Sequence, residues 1–351
     1  MKTKDPKVII FTMAYNAQET IDRTIESILN QTYLNFQYFI LNNAATDDTG
    51  KIVAEYSKKD SRIIPLRVNK NDPTNGGAFF HALVYASDAD YIVWCDADDC
   101  YVPDFLEKTV SFAEENQLDL VACGYDKLDG YTGKLLKRKE LSENLILHDE
   151  LFAEEYIKYR GFKIFLWGKL YSVPFLRKSK KTGTEKEERI CCDGMWITSV
   201  FQKAERVGIY GKPVYQYYLY PCSQSNTNIE ESIDSYWDMW KMEKNYIESY
   251  GPVSKLNEDF LHAIHMAIVD EIVEKIFNCM CDTEKRLDML YRAFSRKEWK
   301  DTLEREADPQ FLILASRKQY VDGIRERILQ LPEIEKYELK KEQLISCLEG
   351  K

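Results

Sequence analysis

Four short apolar runs, separated by segments with helical spacing, dominate the first hundred residues. The runs are residues 8–11, 36–41, 63–68 and 91–95. Apolar residues recur at helical spacing over residues 19–30, and capping residues predict a second helix over residues 51–58. Strands that alternate with helices form right-handed crossovers, so we expect an α/β fold with a Rossmann-like, mostly parallel sheet flanked by helices.

Three carboxylates follow the fourth apolar run directly, in the sequence Asp96-Ala97-Asp98-Asp99. Ligands of parallel sheets collect at the carboxyl ends of the strands, where this cluster is expected to lie. Asp96 and Asp98 can share one face of an extended segment while Asp99 points away. Like charges this close repel one another, so a bound cation is the natural explanation, and oxygen ligands favour Mg²⁺ or Mn²⁺. A solvated acidic turn or a helix cap is the alternative interpretation.

Charge and composition limit the classes of partner. The chain has 351 residues with 48 Lys+Arg against 58 Asp+Glu, a net charge of −10. Nucleic-acid binding needs clustered cations, so we expect no nucleic-acid partner. We see no apolar run near the roughly 20 residues that cross a bilayer, and we predict a cytoplasmic protein. The nine cysteines are scattered and odd in number, which favours reduced thiols over a disulfide framework.

Several motifs match one family in order and spacing. They are Lys7-Val-Ile-Ile-Phe-Thr-Met-Ala-Tyr-Asn16, Thr24-Ile-Glu-Ser-Ile-Leu-Asn-Gln-Thr-Tyr33, Thr46-Asp-Asp-Thr49, Asn75-Gly-Gly77 and Asp96-Ala-Asp-Asp99. Together they resemble the family 2 glycosyltransferases of GT-A fold, strongly over residues 5–125 and more weakly to residue 226. The resemblance implies an inverting, metal-dependent enzyme that moves a sugar from a nucleotide-diphospho-sugar to an acceptor hydroxyl, in the synthesis of a surface polysaccharide or related glycan.

The resemblance also implies roles for individual residues. Asp98 would coordinate the Mn²⁺ or Mg²⁺ that bridges the donor diphosphate, and Asp96 would approach the ribose. The segment Cys192-Asp193-Gly-Met-Trp196 matches the family's Glu-Asp-x-x-Trp motif with cysteine in place of glutamate, so Asp193 is the predicted general base. A helix N-cap is the other interpretation of Asp193. The other residues predicted to bind substrate or nucleotide are Thr12, Ala14, Tyr15, Asn42, Asn43, Asn75, Ala97, Trp167 and Lys169.

Two departures from the family pattern affect donor binding. The second strand ends in Asn42-Asn43, where the family commonly has paired aspartates, so a UDP-sugar is favoured but the base stays open. His81-Ala82-Leu83 follows Asn75-Gly76-Gly77, where an arginine is expected. These departures motivate the alternative hypothesis of a catalytically degenerate member that binds a nucleotide or glycan without transferring a sugar.

The resemblance divides the chain into two parts. We predict a GT-A domain over residues 1–228, with a donor half over 1–125 and an acceptor half over 126–228, followed by a helical C-terminal region over 229–351. The acceptor is expected to be a glycan or a lipid-linked molecule. For the helical region the mixed charge favours packing. Homodimer formation and peripheral contact with the inner face of a membrane are the alternatives.

Overall fold

A computed structural model describes residues 5–71, 82–83, 85–180, 193–220, 229–279, 281–294 and 323. The chain divides into two compact units, residues 1–220 and 221–351. The first unit contains a mixed sheet of ten described strands. The second unit is helical throughout its described part, apart from short connections.

The first hundred residues fold as the apolar pattern predicts. The elements are β1 (Val8–Ala14), α1 (Ile21–Leu29), β2 (Phe36–Asn43), α2 (Thr49–Lys59), β3 (Ile63–Val68) and β4 (Tyr91–Trp94). β1 pairs in parallel with both β2 and β4, and β2 pairs in parallel with β3. All four residues of β4 are buried, which is why that strand is continuously apolar.

The rest of the first unit extends the same sheet. Its elements are β5 (Cys100–Tyr101), α3 (Phe105–Asn116), β6 (Leu120–Asp129), β7 (Leu135–Lys139), β8 (Leu145–Leu147), α4 (Leu151–Glu154), α5 (Tyr156–Lys163), β9 (Lys169–Ser172), α6 (Val173–Lys180), α7 (Asp193–Lys203) and β10 (Val207–Leu219).

The strand order is β3-β2-β1-β4-β9-β6-β10-β5, with β7 beside β6 and β8 beside β10. The sheet is parallel through β1–β4, as predicted. It becomes mixed beyond them because β9 runs antiparallel to both β4 and β6. β6 and β10 are parallel to each other. Their carboxyl ends therefore point the same way, and a hydrogen bond from the Tyr218 N–H to Asp99 brings the end of β10 to the segment after β4.

The second unit contains α8 (Ile229–Glu248), α9 (Lys255–Asn278) and α10 (Thr283–Phe294). α9 buries Ile264, Ile268, Ile272, Val273 and Ile276, and the Ser254 side chain caps the helix by accepting from the Asn257 N–H. None of the helices in the described ranges is both long enough and apolar enough to cross a membrane.

The cysteines differ in part from the expectation of reduced thiols. Cys95, Cys100 and Cys123 are buried free thiols. Cys279 and Cys281 instead form a disulfide, so the expectation is wrong for that pair. Two cysteines separated by a single residue lie close enough to bond without any larger framework, with Cα atoms 5.4 Å apart.

Candidate active site

The acidic cluster forms a turn immediately after β4. The Cys95 N–H still donates to the carbonyl of Phe11 in β1, and the Asp99 N–H then donates back to the Asp96 carbonyl at 3.3 Å. Asp96 and Asp98 are half-buried, whereas Asp99 is fully buried. We call residues 96–99 the acidic loop. It lies at the carboxyl end of the central parallel strands, as expected from the sequence.

Three side chains hold the backbone of the acidic loop: Thr20, which directly precedes α1, and Arg23 and Thr24 of α1. The Thr20 hydroxyl donates to the Ala97 carbonyl at 3.0 Å, and the Thr24 hydroxyl donates to the Asp99 carbonyl at 2.9 Å. Between them, the Arg23 guanidinium donates to the Asp98 carbonyl at 2.5 Å. Residues three and four apart share a helix face, so Thr20 and the adjoining face of α1 together bind three consecutive carbonyls. Sequence analysis missed these residues.

Arg23 also joins the acidic loop to the end of β10. Its guanidinium carbon lies 3.5 Å from the centroid of the Tyr218 ring, and one nitrogen donates to the Tyr220 hydroxyl at 3.2 Å. Its Nε is buried without a hydrogen-bond partner. Arg23 therefore contacts two neighbouring segments at once.

Asp99 fixes the loop from the opposite side. One carboxylate oxygen accepts from the Tyr215 hydroxyl at 2.7 Å, and the other accepts from the Tyr218 N–H at 2.8 Å. Burial raises the pKa of Asp99 well above its usual value, and the nearby charges of Asp98 and Asp96 raise it further. Both oxygens of Asp99 are thus used within the fold, and its side chain points away from a ligand, as strand alternation predicts.

Asp96 and Asp98 remain as the carboxylates that can face a ligand. The Trp94 indole donates to one oxygen of Asp96 at 2.6 Å and orients it. Burial raises the pKa of Asp98, an effect that the positive charge of Arg23 partly offsets. A second cation close to this buried carboxyl group would stabilise its charged form.

The described part of the chain gathers no three His, Cys, Asp or Glu side chains into a metal cage. Mg²⁺ needs none, because it binds through one or two carboxylates together with substrate phosphates and water. Asp98, flanked by Asp96, fits such an ion.

The residues predicted at the end of β1 differ in exposure. The Thr12 hydroxyl is fully buried. It donates to the Cys95 carbonyl at 2.8 Å and accepts from the Tyr38 hydroxyl at 2.9 Å, so it ties β1 to its neighbours rather than facing solvent. Ala14 is buried, and Tyr15 is 41% exposed. Of these three predicted residues, Tyr15 is the one whose side chain a ligand can reach.

The two asparagines at the end of β2 shape the turn that follows. Asn42 accepts from the Ala45 N–H at 2.9 Å through its side-chain oxygen. Asn43 is buried and donates to the Asn71 side chain at 3.2 Å. Asn75, the other predicted donor contact in this region, lies outside the described residues.

Trp167 and Lys169 lie beside β10. The Trp167 ring stacks on Tyr215 at 4.5 Å, on Phe165 at 4.2 Å and on Tyr217 at 5.2 Å between ring centroids. Lys169 is 1% exposed. Its ammonium donates to the carbonyls of Phe165 and Trp167. Lys169 therefore shapes the segment that carries Trp167, where the sequence predicted a contact with substrate.

Asp193 is the first residue of α7, and its side chain lies outside the described residues. The first turn of that helix is supported by Lys163, whose fully buried ammonium donates to the Thr198 hydroxyl at 2.7 Å. That hydroxyl in turn donates to the Gly194 carbonyl at 2.7 Å. Lys163 was not predicted from the sequence, since a lysine within an apolar helix gives no sign of its partner.

Comparisons with known proteins agree with the fold. Residues 9–174 match the profile of glycosyl transferase family 2. EpsJ of Bacillus subtilis, an uncharacterized glycosyltransferase, is 25% identical over 72% of this chain and 73% of its own length. Glycosyltransferase GlyA of Streptococcus pneumoniae is 22% identical over 91% of this chain.

A third relative is UDP-Glc:alpha-D-GlcNAc-diphosphoundecaprenol beta-1,3-glucosyltransferase WfgD of Escherichia coli, which is 32% identical over 41% of this chain. The chain spans about half the length of GlyA and of WfgD, 45% and 56% respectively.

Solved structures show the same fold at low sequence identity. S. aureus TarS aligns with 93% of this chain and 55% of its own, with a TM-score of 0.58 and 14% identity. The mannosyltransferase PcManGT from Pyrobaculum calidifontis aligns with 94% of this chain and 89% of its own, with a TM-score of 0.53 and 13% identity. Residues 9–174 therefore form a glycosyl transferase family 2 domain, and the chain has the GT-A fold.

Proposed function

We propose that the protein is an inverting, metal-dependent glycosyltransferase that moves a sugar from a nucleotide-diphospho-sugar to an acceptor hydroxyl during polysaccharide synthesis. The observation that carries the proposal is the acidic loop, which is held at three consecutive carbonyls by Thr20 and α1. A backbone held in this way keeps Asp96 and Asp98 in a fixed position, where they can hold a cation beside the donor before the reaction begins.

We assign the divalent ion, Mn²⁺ or Mg²⁺, to Asp98 and the donor ribose to Asp96. A bound ion would screen the charge that develops on the departing nucleoside diphosphate. The ligands of two structural neighbours support a nucleotide and a divalent ion in this fold. TarS has been solved with UDP-GlcNAc and with UDP, and PcManGT with GDP-Man and Mn²⁺. A UDP-sugar is our favoured donor. Tyr15, Asn42 and Asn43 are our candidates for residues that contact its nucleoside.

We assign the general base to Asp193, at the start of α7. The base must take the proton of the acceptor hydroxyl as that oxygen attacks the anomeric carbon. The buried Lys163 supports the helical turn that begins at Asp193. WfgD, by its name, glucosylates a diphosphoundecaprenol-linked sugar. This supports a glycan or lipid-linked acceptor, and an acceptor of the latter kind would bring the enzyme to the inner face of a membrane.

The test uses the purified full chain with a panel of UDP- and GDP-sugars, with Mn²⁺ or with EDTA, and measures release of nucleoside diphosphate. We expect slow release that needs the metal, and a loss of about 100-fold or more in Asp98→Asn, because metal contacts are worth several kcal/mol. Asp104→Asn, which changes a carboxylate just beyond the acidic loop, is the matched control and should retain the activity.

The products separate the parts of the proposal. Inversion predicts that an α-linked donor yields a β-linked product, which NMR distinguishes directly. If no nucleotide-sugar binds or reacts, or if Asp98→Asn reacts as fast as the wild type, the proposed metal-dependent transfer is wrong.

A further inference from the structure

One face of the strands β10, β6 and β7 changes from aromatic to basic across the sheet. Its first row is Tyr215, Tyr125 and Lys139, and its second row is Tyr217, Lys127 and Lys137. Residues that pair across neighbouring strands place their side chains on the same face. The three lysines therefore stand together beside the aromatic stack of Trp167.

Among the residues that the structure describes, these lysines have no acidic partner in an ion pair. Lys139 is half-buried, with its ammonium 4.9 Å from the centroid of the Phe162 ring. Burial lowers the pKa of Lys139, and the charges of Lys137 and Arg160 lower it further. Within the ranges that the structure describes, Lys127, Lys137 and Lys139 form no ion pair.

The acidic residues of the same hairpin are used elsewhere. Asp126 binds Arg138 through two hydrogen bonds of 2.7 and 2.8 Å. That pair lies on the opposite face, since strand neighbours alternate. Asp129 closes the hairpin turn by accepting from the N–H and the hydroxyl of Thr132. The basic face is thus left without a carboxylate from its own hairpin.

A short series of contacts connects the basic face to the acidic loop. The Lys127 ammonium lies 5.9 Å from the centroid of the Tyr217 ring, which stacks on Trp167 at 5.2 Å. Trp167 stacks on Tyr215, whose hydroxyl donates to Asp99. A molecule on the basic face would therefore lie next to the site assigned to the donor.

We infer that Lys127, Lys137 and Lys139, with the half-buried ring of Tyr217, form an acceptor subsite for a sugar or polyol that carries phosphate. Ammonium groups bind phosphate through charge-assisted hydrogen bonds, and an aromatic face packs against the apolar face of a sugar ring. A local basic surface is distinctive on a chain whose net charge is −10. This inference rests on the proposed function and deepens it by naming the acceptor class.

The phosphate has two plausible sources, a lipid-linked sugar diphosphate or a polyol-phosphate polymer. Three soluble probes distinguish them: a phenoxyalkyl diphosphate of N-acetylglucosamine, a glycerol-phosphate trimer, and the neutral benzyl glycoside of N-acetylglucosamine. Binding of each to the full chain is measured calorimetrically, with UDP and Mn²⁺ at saturation so that phosphate does not enter the donor site. We expect one of the phosphate probes to bind at least about tenfold more tightly than the neutral glycoside.

The variants test the lysines directly. In Lys137→Ala/Lys139→Met we expect the affinity for the phosphate probe to fall at least about tenfold, with the affinity for the neutral glycoside unchanged. Lys134→Ala removes a charge from the same hairpin outside the two rows and is the matched control. Lys139→Arg keeps the positive charge, so we expect this variant to retain most of the wild-type affinity for the phosphate probe. Thermal unfolding checks the fold, and if the double variant is unfolded, Lys137→Ala alone carries the test because its side chain is exposed.

The outcomes separate this inference from the proposed function. If no phosphate probe binds more tightly than the neutral glycoside, or if the double variant binds like the control, the phosphate subsite is wrong even though donor cleavage persists. If the wild type binds no nucleotide with Mn²⁺ in the donor assay, the proposed function fails instead.

Discussion

Arg23 offers the sharpest test of how the acidic loop is held, through the substitution Arg23→Gln. The substitution removes the hydrogen bonds to the Asp98 carbonyl and the Tyr220 hydroxyl, and it removes the positive charge over the Tyr218 ring. Because the Asp98 carbonyl belongs to the proposed metal ligand, we expect the loop to lose its binding-competent conformation for part of the time.

The size of the effect follows from the contacts. A hydrogen bond from a charged group contributes about 1.5–3 kcal/mol, and a cation–π contact at a half-exposed position adds about 0.5–1 kcal/mol. We take about 2 kcal/mol for the set, since Arg23 is only half-buried. If this energy holds the loop in its binding-competent state, the dissociation constant for Mn²⁺ should rise by about 10- to 30-fold.

The assay measures free Mn²⁺ by electron paramagnetic resonance while the full chain is titrated in the presence of UDP. Arg62→Gln is the matched control, because Arg62 makes a similar set of contacts far from the loop: an ion pair with Asp60, a hydrogen bond to the Leu29 carbonyl and a position over the Phe36 ring. Both variants should lose comparable stability. If both also bind Mn²⁺ with the same affinity, Arg23 does not position the loop and the reasoning is refuted.

Three further outcomes are expected. Thr12→Val should lower the melting temperature, because the buried Tyr38 hydroxyl loses its acceptor. The KM for the donor should stay unchanged, and a raised KM would show that Thr12 contributes to donor binding. Lys163→Met should lower kcat with little change in donor KM, because it weakens the turn that carries Asp193, and an unchanged kcat would refute that role. Burial lowers the pKa of His265 to about 3, with a contribution from His262. The native state therefore binds fewer protons than the unfolded state below pH 6.5, and stability should fall by about 2 kcal/mol between pH 6.5 and pH 5. Urea unfolding should show this fall for the wild type and its loss in His265→Gln.

Much of the fold was predictable because the spacing of apolar residues in the sequence indicates which faces of a strand or helix are buried. The runs that became β1 and β4 are apolar on both faces, and α1 carries Ile21, Ile25 and Ile28 at helical spacing, all of them buried. The carboxylates after β4 could be placed for the same reason, since the end of a buried parallel strand determines the edge at which they emerge. The mixed half of the sheet was harder, because nothing in the four-residue strand β9 indicates its direction.

Individual side chains were less predictable, since their partners are distant in sequence and often backbone atoms. Arg23 and Thr24 bind carbonyls 75 positions away, and a carbonyl has no sequence signature. Thr12 and Lys169 occupy predicted segments, but their polar atoms turn inward to the Cys95, Phe165 and Trp167 carbonyls. A motif thus located the site, whereas the direction of each side chain depended on packing.

The dissociation constant of Mn²⁺, measured with and without UDP, tests the central claim most directly. The claim is that Asp98 and the donor diphosphate share one divalent ion. Wild-type protein should therefore bind Mn²⁺ more tightly when UDP is present, and Asp98→Asn should lose most of that gain while Asp104→Asn keeps it. Equal Mn²⁺ affinity with and without UDP, or an unchanged gain in Asp98→Asn, would contradict the account.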